Sequence, residues 1–191
     1  MSTKDKIVRY LVRGCLVIVV ACVVVSLVAG GAALLSEVYQ ARKAAAPFES
    51  MEAEAKAACA QCFQAGAPVG VRQHRRGKVL VVESDTGKAN GRVLWELPAE
   101  IRAATPEEIG TLVCVGAKQQ ERVGSYEDEA AAYRNHRQVC ACLWPEQSPV
   151  LLRTVQGSSP PKAKTGRGKS ASGGDPLPYE IASFIEALPA E

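Results

Sequence analysis

Residues Gly14 to Leu35 read GCLVIVVACVVVSLVAGGAALL, 22 residues without a charge. No other stretch constrains the fold as strongly. At about 1.5 Å per residue, a helix of this length crosses the roughly 30 Å hydrocarbon core of a bilayer. Val and Ile are mediocre helix formers in water, but in lipid every backbone N–H and C=O must be satisfied internally, which forces a helix. A buried soluble helix would need apolar surroundings that the rest of the chain does not supply.

The flanks set the orientation. Lys4, Lys6, Arg9 and Arg13 precede the run, and only Arg42 and Lys43 follow it closely. The positive-inside rule then predicts residues 1–13 as a basic cytoplasmic flank, 14–35 as a single transmembrane helix (a signal-anchor) and 36–191 outside, with a bacterial inner membrane facing the periplasm as the setting. Two alternatives compete. A basic region before an apolar run also describes a cleaved signal peptide, which would make the mature chain a secreted protein. Val19-Val20-Ala21-Cys22 loosely resembles a bacterial lipidation site, but more hydrocarbon follows Cys22 instead of a polar tether. Cys22, Ser26 and Gly30 share one helical face of small residues, which would let two such helices approach closely and form a weak homodimer.

The formal net charge is +3. It sits in the N-terminal flank, where four cations face Asp5, and the remaining chain balances to zero. That distribution speaks for the membrane bilayer as a partner and against nucleic acid.

Beyond the span, residues 36–66 are predicted as a helical stalk, interrupted at Pro47 and stopped by Gly66, with 48–64 either standing as a stalk or packed on the domain. The basic run Arg72–Lys78 reads as solvated surface. Residues 71–157 are expected to form a small α+β extracytoplasmic domain around an antiparallel sheet of about five strands. KVLVVES (78–84), RVLWE (92–96), TLVCVGA (111–117), QVCACLW (138–144) and VLLRTV (150–155) supply those strands, with 119–123 pairing back and the last two joined by the turn PEQSP. Thr105 and Pro106 open a short helical turn, and Ser125 with Asp128 resembles a capping pair that would start a helix through Arg134. Residues 158–177 read as a flexible linker. Residues 178–188 place Ile181, Phe184, Ile185 and Leu188 on one face of a C-terminal amphipathic helix, expected to dock on its own sheet.

Catalytic patterns are missing from the sequence. His74 and His136 sit in no HExxH motif, and there is no GxSxG elbow or glycine-rich phosphate loop. Ser159-Pro-Pro-Lys162 matches the letters of S-x-x-K, but two prolines preclude the helix which that mechanism needs. The sequence therefore points to no enzyme, no catalytic residue and no cofactor.

Seven cysteines remain to be explained. Cys15 and Cys22 fall in the apolar run as small apolar residues. Cys59, Cys62, Cys114, Cys140 and Cys142 would face an oxidising compartment and are disulfide candidates. Cys59-Ala-Gln-Cys62 lies at the C-terminal end of a helix, where the dipole disfavours thiolate, which argues against thioredoxin-like chemistry. Cys140 and Cys142, two apart on a strand, point the same way and are poorly placed to bond each other. Cys114 would sit opposite one of them, and Cys59 or Cys62 would reach the other if the stalk packs on that face. The alternatives are plain buried thiols, or zinc held by Cys59, Cys62, Cys140 and Cys142. The functional expectation is a membrane-anchored binding or scaffold protein with an unidentified protein partner. The competing class is a cysteine-based redox or metal-handling membrane protein.

Overall fold

The computed structural model describes residues 35–66, 74–163 and 169–191. The flank 1–13, the predicted span apart from Leu35, and the Cys22, Ser26 and Gly30 face lie outside the described residues. Among the described residues no helix is long and apolar enough to cross a membrane. The chain divides after Tyr39 into two units. Of the first, only 35–39 are described, and they are helical. The second, residues 40–191, carries a mixed α+β fold.

Helix α1, described over residues 35–45, passes through a 3-10 turn at Ala46–Met51 into α2 (Glu52–Ala65). The sheet contains β1 (Lys78–Glu83), β2 (Ile109–Ser125), β3 (Ala131–Leu143) and β4 (Ser148–Gln156) in that spatial order, and a two-residue β5 (Ala171–Ser172) pairs with β3. It is mixed, not antiparallel as predicted. β1 runs parallel to β2 and β5 parallel to β3, while β2–β3 and β3–β4 are antiparallel.

The parallel pair exists because Arg92–Glu96 is helical instead of extended. α3 (Gly91–Glu96) starts at Asn90, whose Oδ1 accepts from the Val93 amide at 3.1 Å and whose Nδ2 donates to Glu83 at 2.7 Å. Gly91 has to be glycine, since a Cβ there would come within 1.9 Å of the Ala41 carbonyl oxygen. The crossover from β1 to β2 thus holds a helix, and the chain re-enters the sheet in the same direction. Pro106–Glu108 forms the expected short turn.

Val79 to Val82 and Leu112 to Val115 are each 0–1 % exposed, so this part of the sheet is covered on both faces. Strand alternation places Val82, Cys114 and Cys140 on one face, through the pairs Val82↔Cys114 and Cys114↔Cys140. Helix α2 lies there. Its buried residues Ala55, Ala58, Cys59 and Cys62 follow the i, i+3, i+4, i+7 spacing, and all are small. Residues 52–65, within the segment predicted as a helical stalk, are packed on the domain as a layer. The opposite face meets α4 (Pro178–Glu186), where Phe184 lies under the guanidinium of Arg153, 5.4 Å from the ring centroid. Ile181, Ile185 and Leu188 are buried.

The predicted helix from Ser125 to Arg134 is absent. Tyr126 to Ala130 make a turn with Glu129 at φ 63°, and β2 and β3 continue as a hairpin in which Ser125 opposes Ala131. The Ala-rich segment carries helix propensity, but pairing with Lys118–Ser125 satisfies its backbone more completely than an isolated short helix would.

The described parts of the predicted linker, 158–163 and 169–177, make specific contacts. Gly173 donates to the Tyr133 carbonyl, and Gly174 donates to the Ser158 hydroxyl at 2.7 Å. Leaving and returning strands thus close on each other at the base of the loop. A Cβ on Gly157 would come within 2.1 Å of the Gly174 carbonyl oxygen. Asn135, 2 % exposed, organises this closure. Its Nδ2 donates to the Gly173 carbonyl at 2.8 Å and to Asp175 at 2.7 Å, and its Oδ1 accepts from Gln120 at 3.1 Å.

Removing a buried amide with three partners strands their polar groups. Asn135→Ala should lower the unfolding free energy by about 2–3 kcal/mol in denaturant titrations, whereas Ser159→Ala at the exposed rim should change it by less than about 0.5 kcal/mol.

Candidate functional site

Among the described residues, two places combine chemistry-bearing side chains: the cysteine cluster and a cleft beside Trp95.

The cysteine cluster forms two disulfides. Cys59 bonds Cys114 with 5.5 Å between Cα atoms, and Cys62 bonds Cys140 with 6.2 Å. Both separations are ordinary. The arrangement follows from two matching lengths. Residues three apart on a helix rise about 4.5 Å, and neighbouring strands lie about 4.7–4.9 Å apart. Cys114 and Cys140 are direct partners across β2 and β3. One C-x-x-C on a helix crossing those strands therefore meets one cysteine on each. Cys59, Cys62 and Cys140 are consumed in these bonds, so the thiolate set for zinc does not form. Among the described residues no group of three or more His, Cys, Asp or Glu side chains could hold a metal ion. All four bonded cysteines are 0 % exposed, which leaves an exchange reaction no access to them in the folded state.

Cys142 is the fifth cysteine, free and buried. It shares a face with Cys140 but opposes Leu112, one step beyond the reach of the C-x-x-C pair. Burial pushes its thiol from an ordinary 9.0 up to about 11. A thiol held protonated is a poor nucleophile, so Cys142 acts as a small apolar core residue.

The basic run is likewise committed to structure where it is described. Arg76 pairs with Glu146 and donates to the Trp144 carbonyl, and the pairing raises the Arg76 pKa and lowers that of Glu146. Lys78 meets Glu108 at 2.9 Å. His74 lies 3.7 Å from Glu191, and His136 contacts Gln119 at 3.1 Å.

The cleft is the less predictable site. It has a volume of about 350 Å³, at the lower end of ligand-binding pockets. It is lined by Gln40, Lys43, Ala44 and Pro47 from one segment and by Trp95, Arg102, Ala103 and Ala104 from others. Trp95, at the end of α3, is 45 % exposed, unusual for a large aromatic. Arg102 is stacked on it, with its guanidinium carbon 5.3 Å from the ring centroid. Arg102 Nη1 donates to the Leu94 carbonyl at 3.2 Å and leans toward that of Trp95 at 3.5 Å. The C-terminal end of α3 therefore holds the cation in place, as the helix dipole favours.

Two carboxylates beside Ala104, Glu107 and Glu108, are engaged elsewhere. Glu108 accepts from the Ala104 amide and from Lys78, and Glu107 accepts from the Thr105 hydroxyl, and these contacts hold both below the usual carboxylate range. Neither Lys43 nor Arg102 has an ion-pair partner among the described residues. Sequence reasoning missed this cleft. Its residues come from three separated segments, and Trp95 reads as a strand residue in RVLWE.

The raised Cys142 thiol has a pH signature. The folded state keeps this proton where the unfolded chain has lost it, so the stabilisation is complete below about pH 9 and is lost as pH rises toward 11. Between those values wild type should lose about 2–3 kcal/mol more stability than Cys142→Ala in paired denaturant titrations. No protein-family model, curated protein or solved structure matches the chain.

Proposed function

We propose that the chain is a single-pass membrane protein, with its N-terminus in the cytoplasm and a disulfide-stabilised α+β domain outside. Its role is binding or scaffolding and not catalysis. The observation that carries this reading is the pair of buried bonds Cys59–Cys114 and Cys62–Cys140. Such bonds persist in oxidising compartments and are rare in the cytosol. The uncharged run 14–35, with its basic N-terminal flank, supplies the matching anchor and orientation. The cleft beside Trp95 is the surface through which binding would act, since it combines concavity, an exposed aromatic and two unpaired cations.

The redox alternative draws no support from the bonded pairs. A redox C-x-x-C closes on itself at an accessible helix start, whereas Cys59 and Cys62 each bond a different strand inside the core.

The test is peptide mass spectrometry on protein from intact cells, with trypsin applied to spheroplasts first. Expected are trypsin fragments from residues 36–191 only, both disulfide-linked peptides, and a chain whose own N-terminal peptide remains. Free thiols at all four positions, or protection of 36–191 from trypsin, would overturn the reading. A mature N-terminus within 20–40 would replace it with a secreted protein.

A further inference from the structure

We infer that the cleft beside Trp95 binds a phosphate-bearing anion, gripped between Lys43 and Arg102 with its apolar part against Trp95. The inference deepens the membrane-anchored binding reading and presupposes it only for one of the two sources named below.

Four observations converge. First, the two cations line one cavity and lack an ion-pair partner among the described residues. Like charges gathered in a concave site raise its potential and favour an anion. Secondly, Arg102 is preorganised. The Leu94 carbonyl and the Trp95 ring fix its plane, and its Nε and Nη2 donors have no acceptor among the described residues. A guanidinium held this way presents paired donors that match phosphate oxygens, and a lysine adds a point charge. Thirdly, Glu107 and Glu108 are held by Thr105, Ala104 and Lys78, so they do not compete for these cations. Fourthly, Ala44, Pro47, Ala103 and the exposed Trp95 give the same cavity an apolar lining, which suits an ester and not a bare inorganic ion.

The phosphate has two sources with one chemistry. Lys43 follows Leu35 by eight residues, at most about 28 Å of chain. If 14–35 lie in a bilayer, anionic phosphodiester headgroups are one source. A soluble phosphate ester would present the same group.

The experiment footprints Lys43 by acetylation and mass spectrometry on the full chain in nanodiscs. Exposed Lys88 serves as the control. One arm compares phosphatidylcholine discs with discs containing phosphatidylglycerol. The other titrates glycerol 1-phosphate into phosphatidylcholine discs. Expected is at least fivefold slower acetylation of Lys43, with Lys88 unchanged, and loss of that protection in Arg102→Gln but partial retention in Arg102→Lys. Protection only with phosphatidylglycerol assigns a headgroup, and saturable protection by glycerol 1-phosphate assigns a soluble ester. No protection in either arm overturns the inference, as does protection that persists in an Arg102→Gln variant with wild-type melting and intact disulfides. Whether the chain co-elutes with the discs is read separately. A chain that does not co-elute refutes the membrane reading, and the glycerol 1-phosphate titration of the free protein then decides the cleft alone.

Discussion

The structure depends on the close seat of α2 against β2 and β3. The fully buried side chains of that helix are the small ones, Ala55, Ala58, Cys59 and Cys62, with the partly buried Phe63 reaching Gly116 on β2. Small residues let the backbones approach, and that approach brings the cysteines within bonding range of Cys114 and Cys140. The bonds then compensate for what small residues lack. An Ala-lined face buries little apolar area and is a weak hydrophobic anchor by itself. Cross-links 55 and 78 residues apart in sequence restrict the unfolded chain strongly, an effect of about 3–5 kcal/mol each in the chain-entropy picture.

The rest of residues 40–191 is positioned from this seat. The N-terminal end of α2 lies against the turn after β1, so tightly that a Cβ on Gly87 would come within 1.9 Å of the Glu52 carbonyl oxygen. Upstream, Ala41 is pressed on Gly91 at the start of α3. The second contact seats Ala41, between the cleft residues Gln40 and Lys43, against the start of α3. A site with no local sequence signature thus depends on the approach of segments distant in sequence. On the other side of the sheet α4 closes the core, and Asn135 locks the returning chain across the β2–β3 hairpin.

Legibility in the sequence followed the strength of each local signal. The β-branched runs at 78–84, 111–117 and 150–155 were readable as strands, since their burial leaves long apolar stretches. Gly66 was readable as the stop of α2, where it takes φ 72°. Arg92–Glu96 was misread, because its β-branched and aromatic residues outweighed the Asn90-Gly91 start that in fact sets a helix. The segment Ser125–Arg134 was misread in the opposite sense, since a capping pattern and alanines lost to strand pairing with residues far from any helix partner. The packing of α2 on the sheet stayed one of two readings, because alanine and cysteine give a faint hydrophobic stripe. Of the sites, the five cysteines outside the apolar run were evident as a set, and the cleft was not.

The sequence by itself determined the uncharged run, the charge asymmetry around it, the apolar strands and the number of cysteines available. These are properties of composition and short spacing. Only the tertiary structure decided which cysteines pair, why Cys142 is left over, that β1 runs parallel to β2, and that Lys43, Trp95 and Arg102 line one cavity. Each of those depends on register between strands or on the approach of segments tens of residues apart. A one-residue slip would turn Cys114 or Cys140 to the opposite face of the sheet, and no local pattern of side chains records that choice.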